Sequence, residues 1–330
     1  MRAQRLHKIS PIEQRPLVEE VVPDPIPGPR DVLVAIKACG VCRSNLGMIE
    51  GDFLVIGVPS KLPIIPGHEL TGLIEKVGTD VKTRRVGQRV GVQNLLSSCG
   101  HCKYCLNGRE QICPNGLFTG ENTDGGYADF IAAPEDFTFP LPDNLGFEEA
   151  APLFCPGITG YSSVKRAGIR MGQKVCVIGI GGVGHMSLQF AKLAGADVTA
   201  VDLTKDKLDL ALELGADNAI LASDLPAKRT FDVVMVHTPS QRAVDQATKC
   251  VSTGGTILLA VFGKVDVDFT QEYTIRTCNL GSRSDTYDVM ELASRGKIKV
   301  VSEAYKMSEV NDVLLKLKKG EVRARAVVIN

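Results

Sequence analysis

Four cysteines fall within fifteen residues of one another: Cys99, Cys102, Cys105 and, after seven intervening residues, Cys113. A tetrahedral zinc ion takes four thiolates at about 2.3 Å, and two-residue gaps let successive sulfurs turn onto one ion while Gly100 and Gly108 relieve the bends. A complete four-thiolate shell leaves no open position. The ion of this lobe, spanning about residues 94–116, is therefore expected to contribute folding energy rather than chemistry. His101, between two ligands, reads as a turn residue.

A second pattern, Gly179-Ile180-Gly181-Gly182-Val183-Gly184, fits G-x-G-x-x-G. Its surroundings give it weight. It follows the apolar run Lys174 to Gly179, opens a segment with apolar residues at helical spacing from Gly182 to Gly195, and precedes a second run, Asp197 to Asp202, that ends in an acid. In that setting Gly179 permits the tight turn, Gly181 lets the backbone approach a pyrophosphate, and Gly184 lets the helix pack closely on the strand. The helix N-terminus then faces the negative charge. Asp202 would accept hydrogen bonds from the adenosine ribose and repel a 2′-phosphate, so NAD is favoured over NADP. FAD satisfies the same geometry.

These groups need elements to position them, and the chain changes rhythm near its middle. Up to about Pro142, prolines (Pro11, Pro16, Pro23, Pro25, Pro27 and Pro29 among them) and short β-branched runs such as Val32 to Ile36 predict a mostly β domain. From Cys155 the pattern alternates strand and helix: helices over Lys205 to Leu214 and Gln241 to Val251, strands over Phe231 to His237 and Thr256 to Phe262. That alternation predicts a doubly wound parallel sheet of the Rossmann type, binding its ligand at the carboxyl ends of strands. A helix over Thr286 to Arg295, one from Ser308 as N-cap to Gly320 as stop, and a strand over Arg323 to Ile329 close the chain.

Composition removes several functions. In 330 residues, 38 Lys and Arg balance 38 Asp and Glu, so the basic field that holds nucleic acid or an anionic membrane is missing. Hydrophobic residues at 44% and charged residues at 23% are globular values, not those of a disordered chain. No apolar stretch is long enough to span a bilayer, and Met1 to Lys8 lacks the apolar core of a signal peptide. The chain is read as cytoplasmic, where ten cysteines point to metal or redox roles rather than a disulfide framework.

Three separated fragments remain: Gly40-Val41-Cys42-Arg43-Ser44-Asn45, Pro66-Gly67-His68-Glu69 and Leu153-Phe154-Cys155-Pro156-Gly157. Each alone reads equally well as buried packing, and spacing does not show that they meet. Together with the four-cysteine lobe and the glycine turn ending at Asp202, however, they occur in the order and approximate spacing of the zinc-containing medium-chain alcohol dehydrogenases, which the chain resembles over essentially its whole length. The resemblance implies a GroES-like catalytic domain over residues 1–156, a Rossmann domain over 157–283 and a return to the catalytic domain over 284–330. It implies a catalytic zinc on Cys42, His68 and Cys155, a set of two cysteines and one histidine with one open position being the established alcohol dehydrogenase arrangement. Glu69 would be the adjacent carboxylate able to enter the zinc shell. With the four-cysteine lobe, this makes two zinc ions per chain.

By the same resemblance Ser44 would take the first proton, Thr159 would lie beside the nicotinamide, Arg43 and Arg325 would contact pyrophosphate, and Lys207 would contact ribose. Two positions depart from the family. Asn45 stands where the family usually has Asp, so a neutral amide faces the zinc-bound histidine and leaves the site more positive. Gly47 stands where many relatives have a histidine as outer proton acceptor. The implied activity is reversible hydride transfer between a small or medium primary or secondary alcohol, with its aldehyde or ketone, and NAD. Leu95 and the Phe53-Leu54 loop are candidates to line an apolar substrate pocket. A polyol or specialised carbonyl reductase on the same scaffold, and a non-enzymatic zinc- and NAD-binding scaffold, are the alternatives. Analogy suggests a homo-oligomer, a tetramer before a dimer.

Overall fold

Six prolines among the first 29 residues keep α-helix out of the N-terminal segment. The computed structural model, which describes residues 1–330, places there two antiparallel strands, Arg2–Leu6 and Leu17–Val21. The chain forms two units, the first comprising Met1–Cys155, Ser282–Ser294 and Val300–Asn330, the second Pro156–Gly281 and Arg295–Lys299.

The first unit is organised by the strand Asp31–Val41, buried at nearly every position. Such a strand has neighbours on both edges. It pairs antiparallel with Leu70–Val77, with Arg325–Ile329 and, over its first half, with Phe130–Pro134. Arg89–Val92 and Thr138–Pro140 extend the seven-stranded sheet on one side, and Ser302–Lys306 closes the other. The C-terminal strand therefore returns to the sheet begun by residue 31, which is why a residue near position 325 reaches chemistry set up near position 69. Tyr127, Leu70, Ile74 and Met48 belong to the core beneath it.

The second unit is a six-stranded parallel sheet in the order Asn218–Leu221, Asp197–Asp202, Lys174–Ile178, Phe231–Val236, Val251–Leu259, Thr274–Thr277. All five pairings are parallel. The order reverses at Lys174–Ile178, the first strand, and that reversal is the switch point at which doubly wound sheets bind ligand. Val175, Cys176, Val177, Val234 and Val236 are wholly buried, as expected of central parallel strands.

Several boundaries differ from the sequence expectation. The helix Gln241–Cys250 passes directly into the strand Val251–Leu259, which runs through Gly254 and Gly255 instead of starting after them, with a register irregularity opposite Phe231 and Val233. Ser308 is not an N-cap. It lies inside a short 3-10 turn, Met307–Glu309, where the Glu309 carboxylate accepts the Lys306 amide at 2.8 Å before the helix Val310–Lys319 begins. Gly320 does end that helix in the left-handed conformation. No helix is long and apolar enough to cross a membrane.

Candidate active site and metal centres

Cys42 lies at the junction of the strand Asp31–Val41 and the helix Arg43–Glu50, extended in conformation as the residue before that helix. His68 immediately precedes Glu69 and the strand Leu70–Val77. Cys155 ends the 3-10 turn Ala151–Phe154, whose Phe154 ring lies where a Cβ on Gly91 would be. A glycine on the neighbouring strand thus admits the aromatic ring that anchors the third ligand.

The three fragments meet. One ligand atom each from Cys42, His68, Glu69 and Cys155 lies within 4.8 Å of the others, all four residues being buried. The sulfurs of Cys42 and Cys155 are 3.8 Å apart, the edge of a tetrahedron with metal–sulfur bonds of about 2.3 Å. His68 Nε2 is buried with no hydrogen-bond partner, an arrangement that is costly unless something else takes the nitrogen's lone pair. The residues fit a zinc ion. The Cys42 thiol is held well below its ordinary range by its hydrogen bond with Cys155, burial opposing and the charges of Arg325 and His68 assisting.

Around these ligands lies a layer of fixed polar groups. Arg325 Nε donates to Glu69 Oε2 at 3.0 Å, and Nη2 closes on the other carboxylate oxygen. A Cβ at Gly40 would overlap that carboxylate, so only glycine leaves it room. The Asn45 amide lies 3.2 Å from His68 Nδ1, and the Tyr127 hydroxyl reaches the other end of the same amide at 3.3 Å. When Nε2 is used as a ligand, Nδ1 carries the proton, so Asn45 must present its oxygen to the ring and its NH2 to Tyr127 Oη. That orientation turns over the amide as placed, in which Nδ2 faces Nδ1 and Oδ1 accepts from Tyr127 Oη, and it reverses the Tyr127 bond so that Asn45 donates and Oη accepts. Glu121 Oε1 lies 4.0 Å from Nδ1 and accepts from Asn94 Nδ2 at 2.9 Å. Burial pushes the Glu121 carboxyl up, with His68 pulling the other way. Ser44, half-buried, donates its hydroxyl to Cys42 Sγ at 3.1 Å, and Arg43 is exposed on the first turn of its helix.

The Cys99, Cys102, Cys105 and Cys113 sulfurs also form one cluster. Their separations run from 3.5 to 4.0 Å, again about the edge of a tetrahedral zinc–thiolate shell. The thiols are unequal: backbone hydrogen bonding, from His101 first, pulls Cys99 down to about 6, and burial pushes Cys113 up to about 11. Cys39, Cys176, Cys250 and Cys278 are buried and belong to neither cluster, although the Cys39 thiol lies beside the first, against the His68 backbone.

In the second unit the glycine turn follows the first strand and leads into the helix Gly184–Leu193. Gly179 has φ +93°, and a Cβ there would lie 2.8 Å from Thr238 Cβ. A Cβ at Gly184 would overlap the Gly179 carbonyl, whereas one at Gly181 would meet nothing within 4 Å. The outer face of the turn is open at Gly181. Asp202 Oδ2 accepts the Ile180 amide at 2.6 Å, tying the acid at the end of the second strand to the turn. His185 Nδ1 lies 3.0 Å from the Gly181 carbonyl and therefore carries the ring proton; burial lowers its pKa to about 4. Thr159 is buried on the helix Pro156–Ala167, its carbonyl 3.8 Å from the Cys278 thiol, and Lys207 is half-buried on the helix Lys205–Glu213.

Leu95 is fully buried, so it lines no open pocket, while Leu54, Val55 and Ile56 stand exposed. Asn94, Glu121 and Tyr127, all in contact with the His68 environment, were not singled out by the sequence. They lie outside the recognisable fragments, and only the signal of a carboxylate or hydroxyl near a ligand in space identifies them.

Two family patterns match the chain. The one described as alcohol dehydrogenase GroES-like domain covers residues 28–143, and the one described as zinc-binding dehydrogenase covers residues 182–295. An alcohol dehydrogenase of Geobacillus stearothermophilus is 39% identical over 312 residues, 90% of this chain and 91% of that protein. Among solved structures, the alcohol dehydrogenase of the hyperthermophilic archaeon Aeropyrum pernix superposes with a TM-score of 0.93 at 32% identity, all of each chain being covered. Acetophenone reductase from Geotrichum candidum, solved in complex with NAD, gives a TM-score of 0.92 at 30% identity over 100% of this chain and 97% of its own.

Proposed function

Because the chain belongs to the zinc-containing medium-chain alcohol dehydrogenases, oxidoreductases acting on the CH–OH group, we propose that it interconverts small or medium primary or secondary alcohols with their aldehydes or ketones, using NAD and two zinc ions per chain, one catalytic and one structural. The observation that carries the catalytic assignment is the 3.8 Å separation of the Cys42 and Cys155 sulfurs beside an orphaned His68 Nε2. When bound, the metal supplies Lewis acidity toward a substrate oxygen and the dinucleotide accepts or returns a hydride.

The chain's own residues orient and hold. Cys42, His68 and Cys155 are the protein ligands of the catalytic ion, and Glu69, clamped by Arg325, is the reserve carboxylate beside them. Ser44 carries the first proton. Its hydroxyl is within reach of Cys42 and only half-buried, and with glycine at position 47 the proton passes on to water. Gly179 and Gly184 shape the cofactor turn in which Gly181 and Gly182 receive the pyrophosphate, Asp202 and Lys207 take the ribose, and Thr159 the nicotinamide. Arg43 remains a pyrophosphate contact. Arg325 remains a pyrophosphate contact too, its guanidinium also holding Glu69.

A homotetramer in the cytoplasm completes the proposal. Its support is the family likeness, ten cysteines without a disulfide, and the strand Thr274–Thr277, exposed throughout and unpaired on its outer edge. Light scattering on the purified chain tests the assembly. Activity is tested by NADH absorbance over a panel of primary, secondary and polyhydric alcohols with NAD and with NADP. Alcohol-dependent NADH formation with NAD preferred is the expected result. Dinucleotide binding without turnover of any panel member would refute the dehydrogenase reading.

A further inference from the structure

The two nitrogens of His68 face different surroundings. Nε2 points to the cluster of Cys42, Cys155 and Glu69 with no hydrogen-bond partner, so Nδ1 holds the ring's proton whenever Nε2 donates its lone pair to a metal. A ligating histidine becomes a better donor when a carboxylate faces its second nitrogen, because negative charge there stabilises the positive charge the ring takes on. The group in direct contact with Nδ1, Asn45 at 3.2 Å, carries no charge. The carboxylate comes from elsewhere in the chain. Glu121 Oε1 stands 4.0 Å from Nδ1, its side chain 18% exposed.

Three features show that this carboxylate is placed for His68. Asn94 Nδ2, itself on a buried residue, holds Oε1 at 2.9 Å. The backbone fixes the turn from which Glu121 projects, its carbonyl accepting the Ser60 amide at 3.2 Å and its amide donating to the Phe118 carbonyl at 3.3 Å. No lysine or arginine pairs with it, and the charged groups it faces are His68 and Cys42. A desolvated carboxylate without a cation is costly; the hydrogen bond from Asn94 and the ring of His68, made positive by a metal on its far side, offset that cost, while the Cys42 sulfur opposes it.

We propose that Glu121 is the positioning residue that supplies negative charge behind His68, while Asn45 and Tyr127 fix the orientation of the ring. At 4.0 Å the carboxylate is beyond hydrogen-bond reach, so it acts as a charge and Asn45 makes the direct bond. The inference rests on the catalytic-zinc reading and adds to it that the affinity of that site is set by a residue 53 positions away in sequence from its histidine.

The test is zinc affinity, read by competition between the intact protein and a chromophoric chelator. Glu121→Gln removes the charge but keeps an oxygen for Asn94. It is expected to weaken the Cys42–His68–Cys155 site about tenfold or more, with the four-cysteine site and the melting temperature of the zinc-free chain unchanged. Asn45→Asp added to Glu121→Gln should recover the lost affinity by returning a carboxylate to Nδ1. Unchanged affinity in Glu121→Gln, equal weakening of both sites, or no recovery in the double variant would overturn the proposal while leaving the metal site standing. A wild-type chain that holds only the four-cysteine zinc would instead refute the catalytic-zinc reading, and this inference with it.

Discussion

The guanidinium of Arg325 closes on the carboxylate of Glu69, two residues 256 positions apart whose side chains are 4% and 0% exposed. Neither charge has water to fall back on. Removing one partner of a buried pair strands the other, at a cost of about 3–5 kcal/mol, whereas replacing both with apolar groups of similar size is often close to neutral. Arg325→Ala is therefore expected to lose about that much stability in urea denaturation. Arg325→Met combined with Glu69→Met should recover most of it.

Gly91 is a second point of control over the metal site. The Phe154 ring occupies the place of its missing side chain, and Phe154 immediately precedes Cys155. Gly91→Ala should destabilise the first unit by about 1–3 kcal/mol through overpacking. Because the displaced ring carries the third ligand with it, elemental analysis should also find less zinc in the variant than in wild type.

Within the glycine turn, structure and binding separate. A Cβ at Gly184 would overlap the Gly179 carbonyl, while one at Gly181 meets no protein atom within 4 Å. Gly184→Ala should thus lower the melting temperature. Gly181→Ala should leave it unchanged and weaken NAD about tenfold, as measured by titration calorimetry, because the added methyl stands in the approach of the pyrophosphate.

Acid should unfold the second unit in part through His185. Burial holds this ring at about 4 in the folded chain, against about 6.5 when unfolded. The unfolded chain then binds the extra proton, so the contribution of this residue to stability is complete above about pH 6.5 and declines as pH falls toward 4. The full decline is about 3 kcal/mol. Melting temperatures across that window should fall less steeply for His185→Asn than for wild type; parallel curves would contradict the assignment.

The sequence carried these sites unevenly. The four-cysteine lobe and the glycine turn were legible because each is local: all four thiols lie between residues 99 and 113, and the turn sits between two apolar runs. Cys42, His68 and Cys155 were legible only as fragments of a family pattern, since their meeting depends on the strands Asp31–Val41 and Leu70–Val77 pairing and on Phe154 seating over Gly91. The helices Arg43–Glu50 and Pro156–Ala167 escaped detection because Asn45 and Gly47, and Pro156, Gly157 and Gly160, are weak helix formers. Three strands, Asn218–Leu221, Thr274–Thr277 and Ser302–Lys306, are short and largely exposed, with little apolar pattern to read. Arg325 pairing with Glu69 and Glu121 facing His68 are purely tertiary, and no periodicity encodes them.

The most direct test of the account is zinc per chain, by elemental analysis of wild type and of Cys155→Ala, with NAD-linked turnover followed on the same samples. Two ions in wild type, one in a folded Cys155→Ala chain, and turnover lost with the second ion are the predicted result. One ion in wild type, or a Cys155→Ala chain that keeps both ions and full turnover, would contradict it.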